Sequence, residues 1–436
     1  MHNCEIVINQ PYVETTDTYA RLCAEVSSDK WNKVLYFEVD REYKDYLCAE
    51  CADAFVSALL VTAMEHGYTI KAAAPVSERL YYQLVTYYIP ILSRYNNYLN
   101  AISIDADLSS EPLPVARGVA VGASGGVDSF YSIIRHLDIG VPRNKLTHLL
   151  FNNVCTLDND EERIRTWFNE RGVLLDGVAR ELGLPLIKLY TNIYEFYEYP
   201  YETYTFFATP IYASCVFALQ KLIGIYYHSA GWTLEAFDVH TKNDSAYYDI
   251  FHLQSLSTES ITFYSSGVEK NRLEKVEYIA DNKVVQHYLS VCAVEVSGEG
   301  HLLKEKLNCG KCKKCLRTMS ELYALDKLDL FNDVFDTTAF KRNVQKNLAK
   351  MEGLNMYSAS FSEEVVSLLK KKNKLNMRFY LWKFVYTPVY RLMKILRHST
   401  VVRKLYYALS MDVKLHGYRD RGPYESFNKR NNKRAT

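Results

Sequence analysis

From Gly118 onward, short apolar runs alternate with longer amphipathic stretches. VAVGA, THLLFNNV, LPLIKLY and GIYYHSAG have the length and apolar content of strands. DSFYSIIRHLD, DEERIRTWFNERGVLLDGVARELG and ATPIYASCVFALQKL, lying between them, have the length and periodicity of helices. This order predicts an α/β fold, a parallel sheet with helices on both faces joined by right-handed crossovers. Residues 1–114 mix strand-like segments (KVLYFEVD, YTIKAAAPV, NAISIDAD) with helical ones (DAFVSALLVTAMEHG, SERLYYQLVTYYIPILSRY) and read as an α/β accessory domain. SSEPLPVARG has the composition of a linker, which puts the second domain at 115–330 and a helical extension at 331–436.

Composition changes this picture little. The chain of 436 residues is 48% hydrophobic and 24% charged, as a soluble globular protein is. Its N-terminus lacks a basic region followed by an apolar stretch, and its apolar runs are interrupted, so neither a secretion signal nor a spanning helix is predicted. Ten cysteines in such a chain point to a reducing, cytoplasmic compartment, where thiols serve as metal ligands, catalysts or core residues.

Charge is more informative, because the net +1 hides a split. From Phe361 onward there are 18 Lys/Arg against 5 Asp/Glu, leaving 34 against 46 before it. A basic tail on an acidic body is expected to meet an anionic partner: a membrane surface, nucleic acid or an acidic protein.

VGASGGVDSF, directly after the first apolar run, is the densest chemical signal. Gly125 and Gly126 let a strand-to-helix turn point successive backbone N–H groups inward, making an anion nest at a helix N-terminus. Ser124 and Ser129 add hydroxyls, and Asp128 can hold magnesium or cap the helix. The Gly-Lys-Ser/Thr of the familiar P-loop is absent, so this is a different phosphate loop, or else a flexible Gly-Ser turn.

The second signal is Cys292, Cys309, Cys312 and Cys315, spaced C-x16-C-x2-C-x2-C. Thiolates two residues apart can share a tetrahedral zinc, with Cys292 as the natural fourth ligand and Lys311, Lys313, Lys314 and Arg317 offsetting the charge. An iron–sulfur cluster, a redox pair or plain core cysteines remain open. Cys48 and Cys51 repeat the C-x2-C spacing, but in an apparent amphipathic helix without a second pair nearby, and read as core thiols. His228, His240, His252 and His287 are isolated in sequence and receive no chemistry of their own.

SGGxDS between a strand and a helix resembles the PP-loop of the N-type ATP pyrophosphatases at Ser124, Gly125, Gly126, Asp128 and Ser129. Together with NCGKCKKCLRTM, residues 117–325 resemble the 7-cyano-7-deazaguanine synthase family and its longer relatives, which also share STESITFYSSGVEKNRLEKV. The resemblance implies an adenine nucleotide alpha hydrolase-like fold and an AMP- and pyrophosphate-forming ligase. Such an enzyme activates a substrate carboxylate or carbonyl oxygen for attack by nitrogen. By position, Ser124, Gly125, Gly126, Val127, Asp128 and Ser129 would bind ATP with magnesium, and Asp128 and Ser129 would be catalytic. Asn152 and Asn153 would lie near adenine, His228, Ser229 and Ala230 near the substrate, and the four cysteines would hold structural zinc. Implied partners are a small molecule such as a 7-deazaguanine, and ammonia or a subunit supplying it. The family's members lack the N-terminal addition and the basic tail. Alternatives are a tRNA sulfurtransferase-like adenylating enzyme and a non-catalytic nucleotide-binding module.

The tail contains LNMRFYLWKFVYTPVYRLMKILR. On a helical wheel Leu381, Trp382, Val385, Val389, Leu392, Met393 and Leu396 share an arc opposite Lys383, Arg391, Lys394 and Arg397, with Arg378 the exception and a kink expected at Pro388. The leading expectation is that this arc packs on the protein body; the alternative is a membrane surface, which would make the protein peripheral.

Overall fold

The computed structural model describes residues 5–395 except 97–98, 115, 155–159, 198–199, 241–244, 293–305 and 356–357. The strands are β1 (Glu5–Ile8), β2 (Tyr12–Thr15), β3 (Tyr19–Ser27), β4 (Asn32–Asp40), β5 (Thr69–Ala72), β6 (Val76–Ser77) and β7 (Ile104–Asp105). They continue with β8 (Leu108–Ser109), β9 (Gly118–Gly122), β10 (His148–Asn152), β11 (Leu186–Thr191), β12 (Ile223–Ser229) and β13 (Thr262–Ser266).

Eleven of these form one sheet in the order β13-β12-β9-β10-β11-β4-β3-β1-β5-β7, with β2 added on β3. The half from β13 to β11 is parallel throughout. Its strands are the apolar runs of the sequence: Val119, Ala120 and Val121 in β9 and Leu149, Leu150 and Phe151 in β10 are all buried. Such runs suit strands covered on both faces, whereas β4 alternates, burying Leu35, Phe37 and Val39.

Among the described residues the chain divides into two compact units, the first comprising residues 5–124 with Ser132–Glu269, the second Gly125–Tyr131 with residues 270–395. The boundary expected near residue 114 therefore falls inside the first unit. The reason is strand pairing. β11 lies next to β4, antiparallel, with Phe37, Glu38 and Val39 opposite Thr191, Tyr190 and Leu189, so the N-terminal strands extend the parallel half. An edge strand with unmet backbone groups is completed by whichever strand reaches it, and hydrophobic runs do not specify that partner. Residues 331–395 likewise cluster with those from Lys270 and are not a unit of their own.

The helices used below are α1 (Asp53–His66), α2 (78–95), α3 (Val127–Leu137), α4 (Glu161–Leu182), α5 (Pro200–Ala218) and α6 (Asp249–Leu256). To these are added α7 (Arg272–Ile279), α8 (Lys313–Ala324), α9 (Val344–Gly353) and α10 (Met377–Ile395). α1 is buried on every side from Asp53 to Met64 and packs against α5, where the Ser57 hydroxyl donates to the Pro210 carbonyl at 2.8 Å. α7 starts at a capping box, with the Asn271 side chain accepting from the Glu274 N–H and Glu274 from the Asn271 N–H.

α10 departs from expectation. It packs on α9 through Tyr386, whose Cβ lies 2.6 Å from where a Cβ on Gly353 would stand, and Phe379 near its start is buried. Leu381 and Val385, expected to pack inward, are exposed, and Lys383 faces inward to Glu352 at 2.8 Å. The side chains of Val389, Leu392 and Met393, and all of Leu396, lie outside the described residues.

Candidate phosphate loop and metal centre

Within the parallel half, β9 runs next to both β10 and β12, and the chain reaches these two neighbours in opposite directions along the sheet. That makes the carboxyl end of β9 a topological switch point, where open α/β sheets leave a crevice for ligands. The turn VGASGGVDS stands there: β9 ends at Gly122, α3 begins at Val127, and Gly125 has φ +75°. A left-handed residue between a strand and a helix N-terminus turns backbone N–H groups toward one point, which suits an anion. Gly126 does not adopt positive φ, so a single glycine provides the reversal.

The turn is tightly held. In the first unit Arg171, buried, donates to the Ser124 carbonyl. In the second, the Ser290 N–H donates to the Gly125 carbonyl at 2.9 Å. Ser124 is exposed, whereas Val127 and Ser129 are buried. Asp128 is half-buried, and its carboxylate meets two cations, Arg272 and Lys275, each at 3.2 Å. Lys275 is almost wholly buried, a costly place for an ammonium unless it serves an anion. Arg272 also reaches the fully buried Glu321 at 3.5 Å and Thr318 at 3.2 Å, both on α8, and Glu321 is held by Arg317 at 2.9 Å. Arg272, Lys275 and Glu321 were not singled out from the sequence. The signal was present: the capping box that opens α7 lies within the stretch GVEKNRLEKV and sends Arg272 and Lys275, three residues apart, to one face.

Asn152 and Asn153 sit at the end of β10 as expected, but both are buried. The Asn153 amide donates to the Thr191 carbonyl and its oxygen accepts from the Thr191 N–H, both at 2.8 Å, so this side chain ties β10 to β11. Asn152 accepts from Val154 N–H at 3.4 Å.

His228, Ser229 and Ala230 end β12, in the first unit. His228 stands 3.3 Å from Asp249 on α6, and Thr209 also donates to that carboxylate. Burial pushes the Asp249 carboxyl up, but His228 and Thr209 outweigh it and hold it below the usual range. Beside them is a small pocket lined by Trp232, Tyr247, Asp249 and Ser265, with Trp232 stacked on Tyr247 at 4.3 Å. The buried hydroxyls of Ser229 and Ser265 have no partner among the described residues. His252, also isolated in sequence, is fully buried and meets the Tyr88 hydroxyl at 2.8 Å.

The structure brings Cys292, Cys309, Cys312 and Cys315 together in the second unit, their sulfurs all within 4.8 Å of one another. Cys309 and Cys315 are 3.8 Å apart and Cys312 and Cys315 3.4 Å. Four thiolates about 2.3 Å from one zinc stand about 3.8 Å apart, so the cluster can hold a metal ion such as zinc. Local sequence builds it. Gly310, at φ +68°, lets the Lys311 and Cys312 N–H groups approach the Cys309 sulfur at 3.5 and 3.3 Å, and Cys312 caps α8. Hydrogen bonding among the sulfurs pulls the Cys309 and Cys312 thiols down and pushes the Cys292 and Cys315 thiols up. α8 thus joins the two features: its first turn carries Cys315, and its later turns hold Arg272 against Asp128.

Cys48 and Cys51 precede α1 rather than lying in a helix. Both are buried, 3.6 Å apart, and the Gln220 amide donates to Cys51 at 2.7 Å and to Asp53 at 3.2 Å. The Cys48 hydrogen bond and burial push the Cys51 thiol well up, as in an inert core thiol.

No family model, curated protein or solved structure matches the chain.

Proposed function

We propose that this chain is an AMP- and pyrophosphate-forming enzyme of the PP-loop type, with an adenine nucleotide alpha hydrolase-like fold, resembling the 7-cyano-7-deazaguanine synthase family. Its reaction would activate a carboxylate or carbonyl oxygen of a small molecule for attack by nitrogen. The observation that carries the reading is the Gly125 turn at the end of β9, opening a helix whose Asp128 is met by Arg272 and Lys275. A backbone nest with two cations beside it suits a polyphosphate, and pyrophosphate is the product it would retain.

In this reaction the substrate oxygen attacks the α-phosphorus, the bond to the β-phosphate oxygen breaks, and pyrophosphate leaves. Nitrogen then attacks the activated carbon, and AMP departs with the original oxygen. Arg272 and Lys275 would exchange the Asp128 carboxylate for phosphate oxygens and stabilise the charge that develops on pyrophosphate. Asp128, so released, is the residue to hold the magnesium that accompanies ATP, an ion that supplies charge neutralisation. The small pocket at the end of β12, with its Trp232–Tyr247 stack and the unpaired Ser265 hydroxyl, would have to widen to take a planar, hydrogen-bonding acceptor such as a 7-deazaguanine. The cysteine centre would be structural, anchoring α8 and through it Arg272.

Incubation with Mg-ATP labelled at the α-phosphate, 7-carboxy-7-deazaguanine and related acceptors, and ammonia tests the reading. Substrate-dependent AMP is expected, lowered about 100-fold or more in Lys275→Met. ADP as the product, or nucleotide binding without turnover on any acceptor, would replace the reading with a kinase-like or a binding-module one.

A further inference from the structure

α10 displays the face that a core helix would hide. Met377, Leu381 and Phe384 are 73%, 61% and 79% exposed, and Tyr380 and Val385 are exposed beside them. At 100° per residue these five positions and Pro388 fall within a single arc, and Phe379, which is buried, and Tyr386, which packs on α9, fall opposite. The helix is therefore fastened by one side and leaves an apolar stripe uncovered. Exposed large apolar side chains gathered in one patch mark an interaction surface.

Charge identifies what covers it. Between residues 365 and 395 there are eight Lys/Arg and no Asp/Glu. Lys372 and Lys374 pair with Asp326, and Lys383 with Glu352. Lys370, Lys371, Arg378 and Arg391 are exposed; on the wheel Arg378 borders the apolar stripe beside Val385, and Arg391, one turn beyond Phe384 and Pro388, falls on the stripe itself. A second copy of this helix would set cation against cation, and a nucleic acid offers nothing for Met377, Leu381 and Phe384 to bury against. An apolar stripe with exposed cations at its edge and at its C-terminal end, and no acidic residue along it, fits the boundary between acyl chains and anionic headgroups. No helix among the described residues is long and apolar enough to cross a membrane, so the element would lie on the surface.

We propose that α10 docks the protein on anionic lipid bilayers, with Met377, Leu381 and Phe384 entering the acyl boundary and Arg378 and Arg391 meeting the headgroups. The test is flotation of the full chain with vesicles of phosphatidylcholine plus phosphatidylserine and with phosphatidylcholine alone, at low and high salt. Binding is expected to be about tenfold or more tighter to the anionic vesicles, to weaken with salt, and to be lost in the double variant Leu381→Asp/Phe384→Asp. Because both positions are exposed, that variant should keep its circular dichroism and bound metal. Phe384→Trp supplies an independent readout, with emission shifting to the blue and quenched by brominated acyl chains on binding. Failure to float, flotation indifferent to the double variant, or a dimer that the double variant dissolves without any lipid binding would overturn the proposal.

Discussion

The two C-x2-C segments share a spacing and have opposite environments. Cys48 and Cys51 meet each other, the Gln220 amide and the Asp53 carboxylate beside it, and are buried in the first unit's core. Cys309 and Cys312 meet Cys315 from the next helical turn and Cys292 from a separate segment. Two residues of separation bring two sulfurs close in either case. A metal centre additionally needs two further ligands and backbone N–H groups turned to the sulfurs, which Gly310 allows in the second segment. The first unit is expected to depend on burial and hydrogen bonding, the second on its metal.

Removing a ligand should break this contrast most severely. Cys315→Ala is expected to lower bound zinc from about one per chain to near none and to melt the helices of the second unit, since structural zinc contributes on the order of 10 kcal/mol. Metal analysis with hydrogen exchange across α8 checks it. Cys292→Ala should do the same, whereas retained zinc in either variant would point to a different ligand set.

Acid should act on the first unit through a different group. His252 is fully buried, and desolvation lowers it to about 4 although Asp249 opposes the shift. An unfolded histidine takes up its proton near 6.5, so the stability from keeping this ring neutral is complete above that pH and is lost as pH falls through about 4. The total is about 3 kcal/mol. Urea melts followed through exchange of the β9–β12 amides should show the loss, and His252→Gln should reduce it, leaving the share of His136, which burial also lowers to about 4; an unchanged slope would mean that the His252 ring is protonated in the fold.

Cys51→Ala should have the smallest effect, costing about 1 kcal/mol and leaving zinc unchanged. In the native protein Cys48 and Cys51 should resist a thiol reagent until global unfolding. Rapid labelling, or zinc lost on Cys51→Ala, would erase the distinction between the two segments.

Much of this organisation was legible in the chain. Period and run length located β9, β10, β11, β12 and the helices between them, because a strand buried on both faces and a helix buried on one leave different patterns. Cysteine spacing identified three of the four sulfurs that converge, and Cys292 followed from the need for a fourth. The strands β1 to β3 and β13 went unread, being short or interrupted by polar residues. The face by which α10 packs was misassigned, because an amphipathic wheel identifies an apolar side without identifying what it touches.

Sequence alone determined the local features: a strand, a glycine turn and a helix at Gly118–Leu137, and a cysteine knuckle ahead of α8. These depend on backbone sterics and on neighbours a few residues apart, all of which the chain states directly. Only the tertiary structure decided that β4 completes the edge of β11, that Arg272 and Lys275 converge on Asp128 from some 145 residues away, and that Leu381 and Phe384 face outward. Those outcomes depend on which distant surfaces meet, and hydrophobicity, being non-directional, favours burial without specifying the partner.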